Sequence, residues 1–375
     1  MITRLRDFEM ERWQSIYENE VDYNLSESGV HPVSLRELLE LSGTDSFADT
    51  ALGYGQSNGT GELRARIAAL YAGANADHVV VTNGSAEANF VALWHLVEPG
   101  DEVVVLMPTY MQSLGLIESL GARVREVWLH EEKAWQPDAG EIDAAVNQRT
   151  RAIVVTNPNN PTGAVLERSA RDAIERAAER AGAWILADEV YTGAELRPPE
   201  TTSFWRPDAR VIATGSLSKA YGLPGLRIGW ALAPRALSER MWARKDYTTI
   251  SPGQLSDSLA TLALDPRVRP RLLQRTRGFM TNGLSFLETW LAQTGIFRYQ
   301  TPAAGAIVFA RYDLPINAAQ LAERLRRDHS VLIVPGDHFR MDSFLRFGFG
   351  QPVPMLKAAL GRFSECISAL SASAR

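Results

Sequence analysis

Short apolar runs, most of them rich in valine or isoleucine, alternate with segments of helical periodicity through the first half of the chain. The runs cover residues 78–82, 102–106, 123–129, 151–156, 184–187 and 211–214. Short apolar runs of this kind are typical of strands that are buried on both faces, and the helices between them supply the covering layers. The pattern therefore predicts an α/β fold with a mostly parallel central sheet and helices on both faces.

The pattern changes after residue 235, where helical periodicity covers residues 235–247, 253–264 and 268–292. Beyond about residue 295, short predicted strands alternate with helices: strands over 306–311, 331–334 and 344–348, and helices over 318–327 and 354–370. We therefore predict three parts. They are an N-terminal arm over residues 1–45 that forms part of the small domain, a large ligand-binding domain over 46–285, and a smaller α+β C-terminal domain over 286–375.

Composition excludes several classes of function. Of the 375 residues, 45% are apolar and 22% are charged, which is typical of a globular protein, and the net charge of −5 gives no sign of nucleic-acid binding. The single cysteine, Cys366, excludes an internal disulfide and fits a reducing compartment, so we expect a cytoplasmic protein. A charged N-terminus and the lack of a long apolar run predict neither a signal peptide nor a membrane span. The six histidines have no metal-binding spacing, so no metal is expected.

Each unusual motif in the first part of the chain follows directly after a predicted strand. The motifs are Asn83-Gly-Ser-Ala86, Met107-Pro-Thr-Tyr110, Asn157-Pro-Asn-Asn-Pro-Thr-Gly163, Asp188-Glu-Val-Tyr191 and the segment Gly215 to Trp230. Ligands of parallel α/β sheets bind beyond the carboxyl ends of the strands. The motifs therefore predict one ligand site at this edge of the sheet.

The segment Gly215 to Trp230 contains the most informative group, Lys219. A lysine in a confined apolar pocket loses its proton more easily and becomes a nucleophilic amine. Ser216 and Ser218 before it and Arg227 after it are groups that hold a phosphate dianion. A nucleophilic lysine beside a phosphate site suggests pyridoxal 5′-phosphate (PLP). Taken alone, the segment is more typical of a loop that carries an exposed lysine, and only the rest of the chain favours the cofactor site.

Other residues at the strand ends suit the same cofactor, although each has a simpler explanation. Asp188 suits the pyridine nitrogen or caps the next helix. Tyr191 and Asn160 suit the phenolate oxygen, or belong to core packing and to a turn, respectively. Tyr110 either stacks on the ring or packs in the core. The helix start at Gly84, Ser85 and Ala86 is an anion site because its backbone N–H groups are free.

Taken together and in order, these motifs resemble the class I/II aminotransferases of PLP fold type I. The matching set is Gly84-Ser-Ala86, Pro108-Thr-Tyr110, Asn160-Pro-Thr-Gly163, Asp188-Glu-Val-Tyr191, Ser216-x-Ser-Lys219 and Arg227. The resemblance extends from Tyr54 to Arg346. It implies that the large domain is the PLP-binding domain.

The resemblance also implies a role for each matching residue. Lys219 holds the cofactor as a Schiff base and acts as the general base, Asp188 pairs with the ring nitrogen, and Tyr110 stacks on the ring. Asn160 and Tyr191 bind the phenolate oxygen. The phosphate is held by Gly84, Ser85, Ala86, Ser216, Ser218 and Arg227.

Three further residues match positions of the family that act on the substrate or on the partner subunit. Arg346 matches the arginine that binds the substrate α-carboxylate, together with Asn160, and Gly29 matches the N-terminal glycine that closes over the substrate. Tyr54 matches the tyrosine that reaches the partner's phosphate. The resemblance thus implies a homodimer with shared active sites.

The implied reaction is transamination between an α-amino acid and a 2-oxo acid. The segments Leu25 to His31, Leu217 to Trp230 and Val331 to Gly336 also resemble the capreomycidine synthase group, whose enzymes dehydrate and cyclise a hydroxylated arginine. This chain has both the Asn160-Pro-Thr-Gly163 and the Asp188-Glu-Val-Tyr191 motifs that it shares with the aminotransferases, and their presence favours transamination. His31 is either a polar ring near the substrate, as cyclisation would require, or a loop histidine.

A third alternative is a PLP-binding sensor domain of a transcription regulator. Such proteins carry a helix-turn-helix region ahead of the aminotransferase-like domain. Here the predicted arm begins within the first 20 residues, so we expect an enzyme rather than a sensor.

Overall fold

A computed structural model describes residues 5–44 and 46–373 of the chain, with side chains up to residue 370. Residues 1–4, 45 and 374–375 of the predicted arm and C-terminal domain lie outside the described residues. The α-helices are α1 (Glu9–Tyr17), α2 (Leu35–Ser42), α3 (Gly61–Ala68), α4 (Ser85–Leu96), α5 (Gln112–Ser119), α6 (Ala139–Ala145), α7 (Arg168–Ala181), α8 (Arg235–Lys245), α9 (Gln254–Ala263), α10 (Arg269–Thr294), α11 (Ala318–His329) and α12 (Val353–Ser373).

The strands form one large and two small sheets. They are β1 (Tyr23–Asn24), β2 (Val79–Thr82), β3 (Glu102–Met107), β4 (Arg123–Trp128), β5 (Thr150–Thr156), β6 (Trp184–Asp188), β7 (Val211–Ser216), β8 (Gly229–Leu232), β9 (Phe297–Tyr299), β10 (Ile307–Tyr312), β11 (Val331–Leu332), β12 (Val334–Pro335) and β13 (Phe344–Gly348). All six apolar runs of the first half form strands, as predicted.

The large sheet has seven strands in the order β2-β8-β7-β6-β5-β3-β4. Strands β3 to β7 pair in parallel, whereas β8 is antiparallel to both of its neighbours. The chain leaves β7 at Ser216 and returns in β8 at Gly229, so a loop without a crossover helix joins them and the pairing is antiparallel. The mostly parallel sheet confirms the predicted fold class. Lys219 lies in this returning loop.

Both faces of the large sheet are buried, because successive side chains of a strand point to opposite sides. Val103 and Val105 of β3 pack in the cluster that contains Val91 of α4. Val104, between them, packs in the cluster that contains Ile174 of α7. Continuous apolar runs were therefore the right signal for strands covered on both faces.

A smaller antiparallel sheet, in the order β12-β13-β10-β9, forms in the C-terminal part of the chain. The run 331–334, which looks like one strand in the sequence, divides at Ile333: β11 pairs in parallel with β1 of the arm, and β12 pairs with β13. The arm thus joins the C-terminal part through Tyr23 and Val331. Residue 285 is the predicted end of the large domain, but helix α10 runs unbroken through it. The domain boundaries therefore stay a prediction.

The N-terminus of α4 rests directly on β8. Gly229 faces Gly84 and Ser85 so closely that a Cβ at Gly229 would overlap their backbone atoms. Gly84 itself has φ +82°, a conformation that favours glycine. The two glycines therefore set the position of a helix start that the sequence analysis assigns to phosphate binding.

We expect Gly229→Ala to destabilise the fold by about 1–3 kcal/mol, since the added methyl group meets backbone that must shift. The matched control is Gly278→Ala in α10, where a Cβ meets nothing within 4 Å and where alanine favours the helix by about 0.5–1 kcal/mol. Thermal unfolding of both variants checks this. An unchanged midpoint for Gly229→Ala would show that β8 and α4 separate freely.

Candidate active site

A cavity of about 270 Å³ lies beyond the carboxyl ends of the parallel strands. The predicted site residues that line it are Ser85, Ala86, Tyr110, Asn160, Asp188, Tyr191, Ser218, Lys219, Arg227 and Arg346. A larger cavity of about 1120 Å³, lined by Arg171 of α7 and Leu284 of α10, contains none of them. Residues from six separate strand ends and loops thus converge on the smaller cavity, which we consider the active site.

One end of the cavity is an anion site. Helix α4 begins at Ser85 without a side-chain cap, so its first N–H groups are free to bind an anion. The guanidinium of Arg227 lies directly against Gly84, where any Cβ would overlap it. Ser218 donates its backbone N–H to Ser216 Oγ at 3.1 Å. These groups fit a phosphate.

Asp188 lies deeper in the cavity, at the end of β6. Its carboxylate accepts hydrogen bonds from Asn89 Nδ2 at 2.8 Å and from the backbone of Val190 at 3.2 Å. Asn89 in turn is held by Thr214 Oγ1 at 2.8 Å. Burial raises the pKa of Asp188 and these hydrogen bonds lower it, and the net direction is upward. No lysine, arginine or histidine in the part of the chain that the structure describes pairs with this carboxylate, so a protonated pyridine nitrogen fits there.

Two predicted ligands of the phenolate oxygen face the same cavity. Tyr191 is buried and donates its hydroxyl to Ser28 Oγ at 2.9 Å. Asn160 accepts a hydrogen bond from Arg346 through Oδ1, so its amide nitrogen is the group that it offers to a ligand. The Tyr110 ring packs against Phe8 with centroids 4.9 Å apart.

Arg346 enters from β13 of the small sheet and is only 1% exposed. Its Nη1 donates to Asn160 Oδ1 at 2.8 Å and its Nη2 to the Ser26 carbonyl at 2.6 Å. Its Nε has no hydrogen-bond partner among the described residues. A buried N–H without a partner is costly, so the arginine is arranged for an anionic ligand.

The amine of Lys219 lies 2.8 Å from Glu27 Oε1, an acid that the sequence analysis did not select. The charge of Lys219 lowers the pKa of Glu27 to about 2, although burial raises it. Burial lowers the pKa of Lys219, but the charge of Glu27 and its hydrogen bond help raise it, and the net direction is upward. Gly29 lies beside this pair: its N–H donates to Glu27 at 2.8 Å, and a Cβ on it would be 3.5 Å from Lys219 Cδ.

Some predicted residues do not line the cavity. Ser216 is buried and lines a separate cavity, also of about 270 Å³, together with Tyr71 and Trp230. Tyr54 is 93% exposed on the surface of the single chain. His31 packs against the ring of Phe279 at 5.8 Å and contacts Gln351, away from the cavity lining.

Four residues at or beside the site, Glu27, Asn89, Glu11 and Glu18, are not predicted from the sequence. Glu27 lies in an irregular polar segment without a local motif, and Asn89 shows as a polar residue on the apolar side of a predicted helix. Glu11 and Glu18 line the cavity from the arm. Their seven-residue spacing was visible in the sequence, but nothing in the sequence shows what that face of α1 packs against.

Comparison with known proteins agrees with this geometry. The family model of the class I and II aminotransferases matches residues 27–363. Capreomycidine synthase from Streptomyces vinaceus is 34% identical over 91% of this chain and 89% of its own.

Two solved structures are also similar over nearly their whole length. A PLP-dependent aminotransferase from Streptococcus suis has a TM-score of 0.92 at 32% identity, covering 98% of this chain and 99% of its own. The PLP-dependent cyclase OrfR has a TM-score of 0.88 at 27% identity, covering 97% of each chain. The chain therefore belongs to the class I and II aminotransferase family, and it is an enzyme whose cofactor is pyridoxal 5′-phosphate.

Proposed function

We propose that the protein is an aminotransferase that exchanges the amino group of an α-amino acid with a 2-oxo acid, with Lys219 as the residue that holds the cofactor covalently. One observation supports this above all: the amine of Lys219, the carboxylate of Asp188 and the guanidinium of Arg346 line a single cavity of about 270 Å³. The bound cofactor supplies an electron sink for the bonds at the substrate's Cα.

Different residues of the cavity bind the substrate carboxylate and the separate groups of the cofactor. Arg346 binds the α-carboxylate of the substrate, and its planar guanidinium suits two hydrogen bonds. Asp188 would pair with the pyridine nitrogen and keep it protonated, Asn160 and Tyr191 would bind the phenolate oxygen, and Tyr110 would stack on the ring. The phosphate would be held by Gly84, Ser85, Ala86, Ser218 and Arg227, and Ser216 would support this end from behind by accepting the Ser218 N–H.

Lys219 and Glu27 bind and transfer the proton. The Lys219 amine takes the proton from Cα and holds it for delivery, which is general base catalysis at Nζ. Glu27, 2.8 Å away, stabilises the ammonium form that results. The Lys219 and Glu27 side chains are 23% and 34% exposed, so they are partly shielded from solvent, which limits loss of the proton to water.

The ion pair of Lys219 and Glu27 also favours a second candidate function, elimination followed by cyclisation. The proton that Lys219 takes from Cα can pass to a hydroxyl on the substrate's β-carbon: the electron pair left at Cα forms a Cα=Cβ double bond, the C–O bond breaks, and the oxygen leaves as water with that proton. The similarity to capreomycidine synthase and to the cyclase OrfR supports this alternative. Elimination occurs if the Lys219 proton passes to the β-hydroxyl, and transamination occurs if it does not.

We also propose that the protein acts as a homodimer in the cytoplasm. Tyr54 and Leu52 are large apolar side chains of one loop, and they are 93% and 82% exposed. Such exposure is typical of a surface that another protein covers. Among the described residues, no helix is long and apolar enough to cross a membrane.

Lys219→Ala should abolish the visible absorbance of the covalently held cofactor and all turnover, because no amine remains at that position. The far-ultraviolet circular dichroism should stay unchanged. Lys133→Ala is the matched control, since Lys133 is an exposed lysine that pairs with Asp138. Wild-type turnover in Lys219→Ala would refute the assignment.

Incubation of the cofactor-loaded protein with a panel of amino acids, followed by mass spectrometry, separates the two candidate reactions. A 2-oxo acid product and the pyridoxamine form of the cofactor indicate transamination. A product that has lost water, with the cofactor unchanged, indicates elimination or cyclisation. Conversion of no amino acid at all would contradict both.

Glu27→Gln should lower the pKa of the Lys219 amine, because the carboxylate charge disappears while burial remains. At a pH below the original pKa, a larger fraction of the Lys219 amine is then neutral. Added PLP should therefore attach faster to the cofactor-free protein. The rate of absorbance growth between pH 6 and pH 9 measures this, with the exposed Glu20→Gln as control. If the pH profile is the same in both variants, Glu27 does not act on the amine.

A further inference from the structure

Helix α4 contributes to the site at two points. Its N-terminus at Ser85 forms the phosphate end of the cavity, and Asn89 follows four residues later on the same side of the helix. Asn89 is only 2% exposed, although the neighbouring side chains of α4 pack in an apolar cluster against the large sheet. The roles proposed above leave this buried amide unused.

The Asn89 amide bridges the ends of two adjacent strands. Asp188, at the end of β6, and Thr214 of β7 are direct neighbours in the parallel pairing. Asn89 Nδ2 donates to Asp188 Oδ2 at 2.8 Å, and Thr214 Oγ1 donates to Asn89 Oδ1 at 2.8 Å. All three residues are buried, so both hydrogen bonds are shielded from water.

The direction of these two hydrogen bonds follows from the chemistry of the groups. An ionised carboxylate only accepts hydrogen bonds, so the NH2 group of Asn89 has to face Asp188. The amide oxygen then faces Thr214, whose hydroxyl donates to it. If the amide turned over, its oxygen would meet the carboxylate and neither atom could donate. Thr214 therefore selects the amide orientation that suits an ionised Asp188.

Among the described residues, Asn89 is the one side chain that donates a hydrogen bond to Asp188. The other oxygen of this carboxylate accepts the backbone N–H of Val190 at 3.2 Å. The amine of Lys219, in the same cavity, is paired with Glu27. Burial raises the pKa of Asp188, and the hydrogen bond from Asn89 lowers it. The amide thus favours the charged form of a carboxylate that burial disfavours.

Other charged groups of the cavity and of the strand end have partners of their own. Arg346 donates to Asn160 Oδ1 at 2.8 Å. Glu189, the next residue after Asp188, is itself acidic and accepts the backbone N–H of Phe204 at 2.8 Å. The ionised form of Asp188 therefore depends on neutral donors until a cation binds beside it.

On the basis of the proposed site, in which Asp188 pairs with the pyridine nitrogen of PLP, we infer that Asn89 and Thr214 are positioning residues that keep Asp188 ionised and oriented for that nitrogen. A charged carboxylate holds the proton on the ring nitrogen, and a protonated ring withdraws electrons more strongly. Without the amide, the buried carboxyl group takes the proton itself, because burial penalises its charge. The ring nitrogen is then neutral.

Nitrogen NMR of the protein loaded with PLP that is isotopically labelled at the ring nitrogen measures this protonation state directly. The wild-type signal should lie at the position of a pyridinium. In Asn89→Leu, whose side chain has a similar size but no donor, the signal should move downfield toward the position of a neutral pyridine. The affinity of the cofactor-free variant for PLP should fall about tenfold or more, because a hydrogen bond to a charged group is lost.

Variants of Thr214 test the orientation of the amide without changing Asn89. Thr214→Val removes the hydroxyl and leaves the amide free to turn over, so the signal should move in the same direction as in Asn89→Leu. Thr214→Ser keeps the hydroxyl and should give the wild-type signal. If Asn89→Leu does not fold, this pair of variants decides the matter alone.

Asn147→Leu is the matched control. Asn147 Nδ2 also donates to a buried carboxylate, that of Glu102 at 2.7 Å, but Glu102 begins β3 and lies outside the cavity. This variant should leave the ring-nitrogen signal unchanged. Thermal unfolding of each variant shows its stability: a purely structural role of Asn89 would lower the midpoint and leave the signal at the pyridinium position.

The outcomes separate this inference from the proposed function. A pyridinium signal in folded Asn89→Leu or in Thr214→Val overturns the inference, and so does a neutral-pyridine signal in the wild-type protein. Covalent attachment of PLP to Lys219 and turnover of an amino acid would leave the proposed function intact in either case. Loss of the proposed function would show instead as failure of wild-type Lys219 to hold the cofactor.

Discussion

Strands β3, β5, β6 and β7 run in the same direction, so the residues that follow them emerge at one edge of the large sheet. Tyr110, Asn160, Asp188 and Lys219, far apart in the chain, therefore meet at one cavity. The antiparallel return of β8 keeps the Lys219 loop short and brings Arg227 back against the start of α4. The site depends on this common edge more than on any single contact.

The cavity also depends on two parts of the chain outside the large sheet. Arg346 comes from β13, and its guanidinium is held by the Ser26 carbonyl of the arm and by Asn160 of the large sheet's edge. The arm also contributes Glu27, whose carboxylate stabilises the ammonium form of Lys219. Three distant segments that pack against one another thus line the cavity.

Charge is distributed unevenly along the cavity. Positive groups, Arg227 and Arg346, lie where a phosphate and a carboxylate are expected, and the acids Glu11, Glu18 and Glu27 lie along the arm. Asp188 is separate from these acids, buried and hydrogen-bonded by Asn89.

Much of the fold was predictable from the sequence because the signals were local. Apolar runs such as 102–106 and the periodicity of 268–292 reflect burial of individual elements, and both agree with β3 and α10. Strand β8 and the division of the run 331–334 at Ile333 were not predicted, since pairing direction and choice of sheet depend on distant partners.

The same division applies to the site. By itself the sequence determined the cofactor, the family and the chain order of the groups that converge on the cavity, because these groups form motifs with recognisable chemistry. Only the tertiary structure decided that Glu27 contacts the Lys219 amine, that Asn89 supports Asp188 and that Glu11 and Glu18 face the cavity. Such contacts join residues from separate segments, and the sequence contains no local signal for a neighbour that only folding brings close.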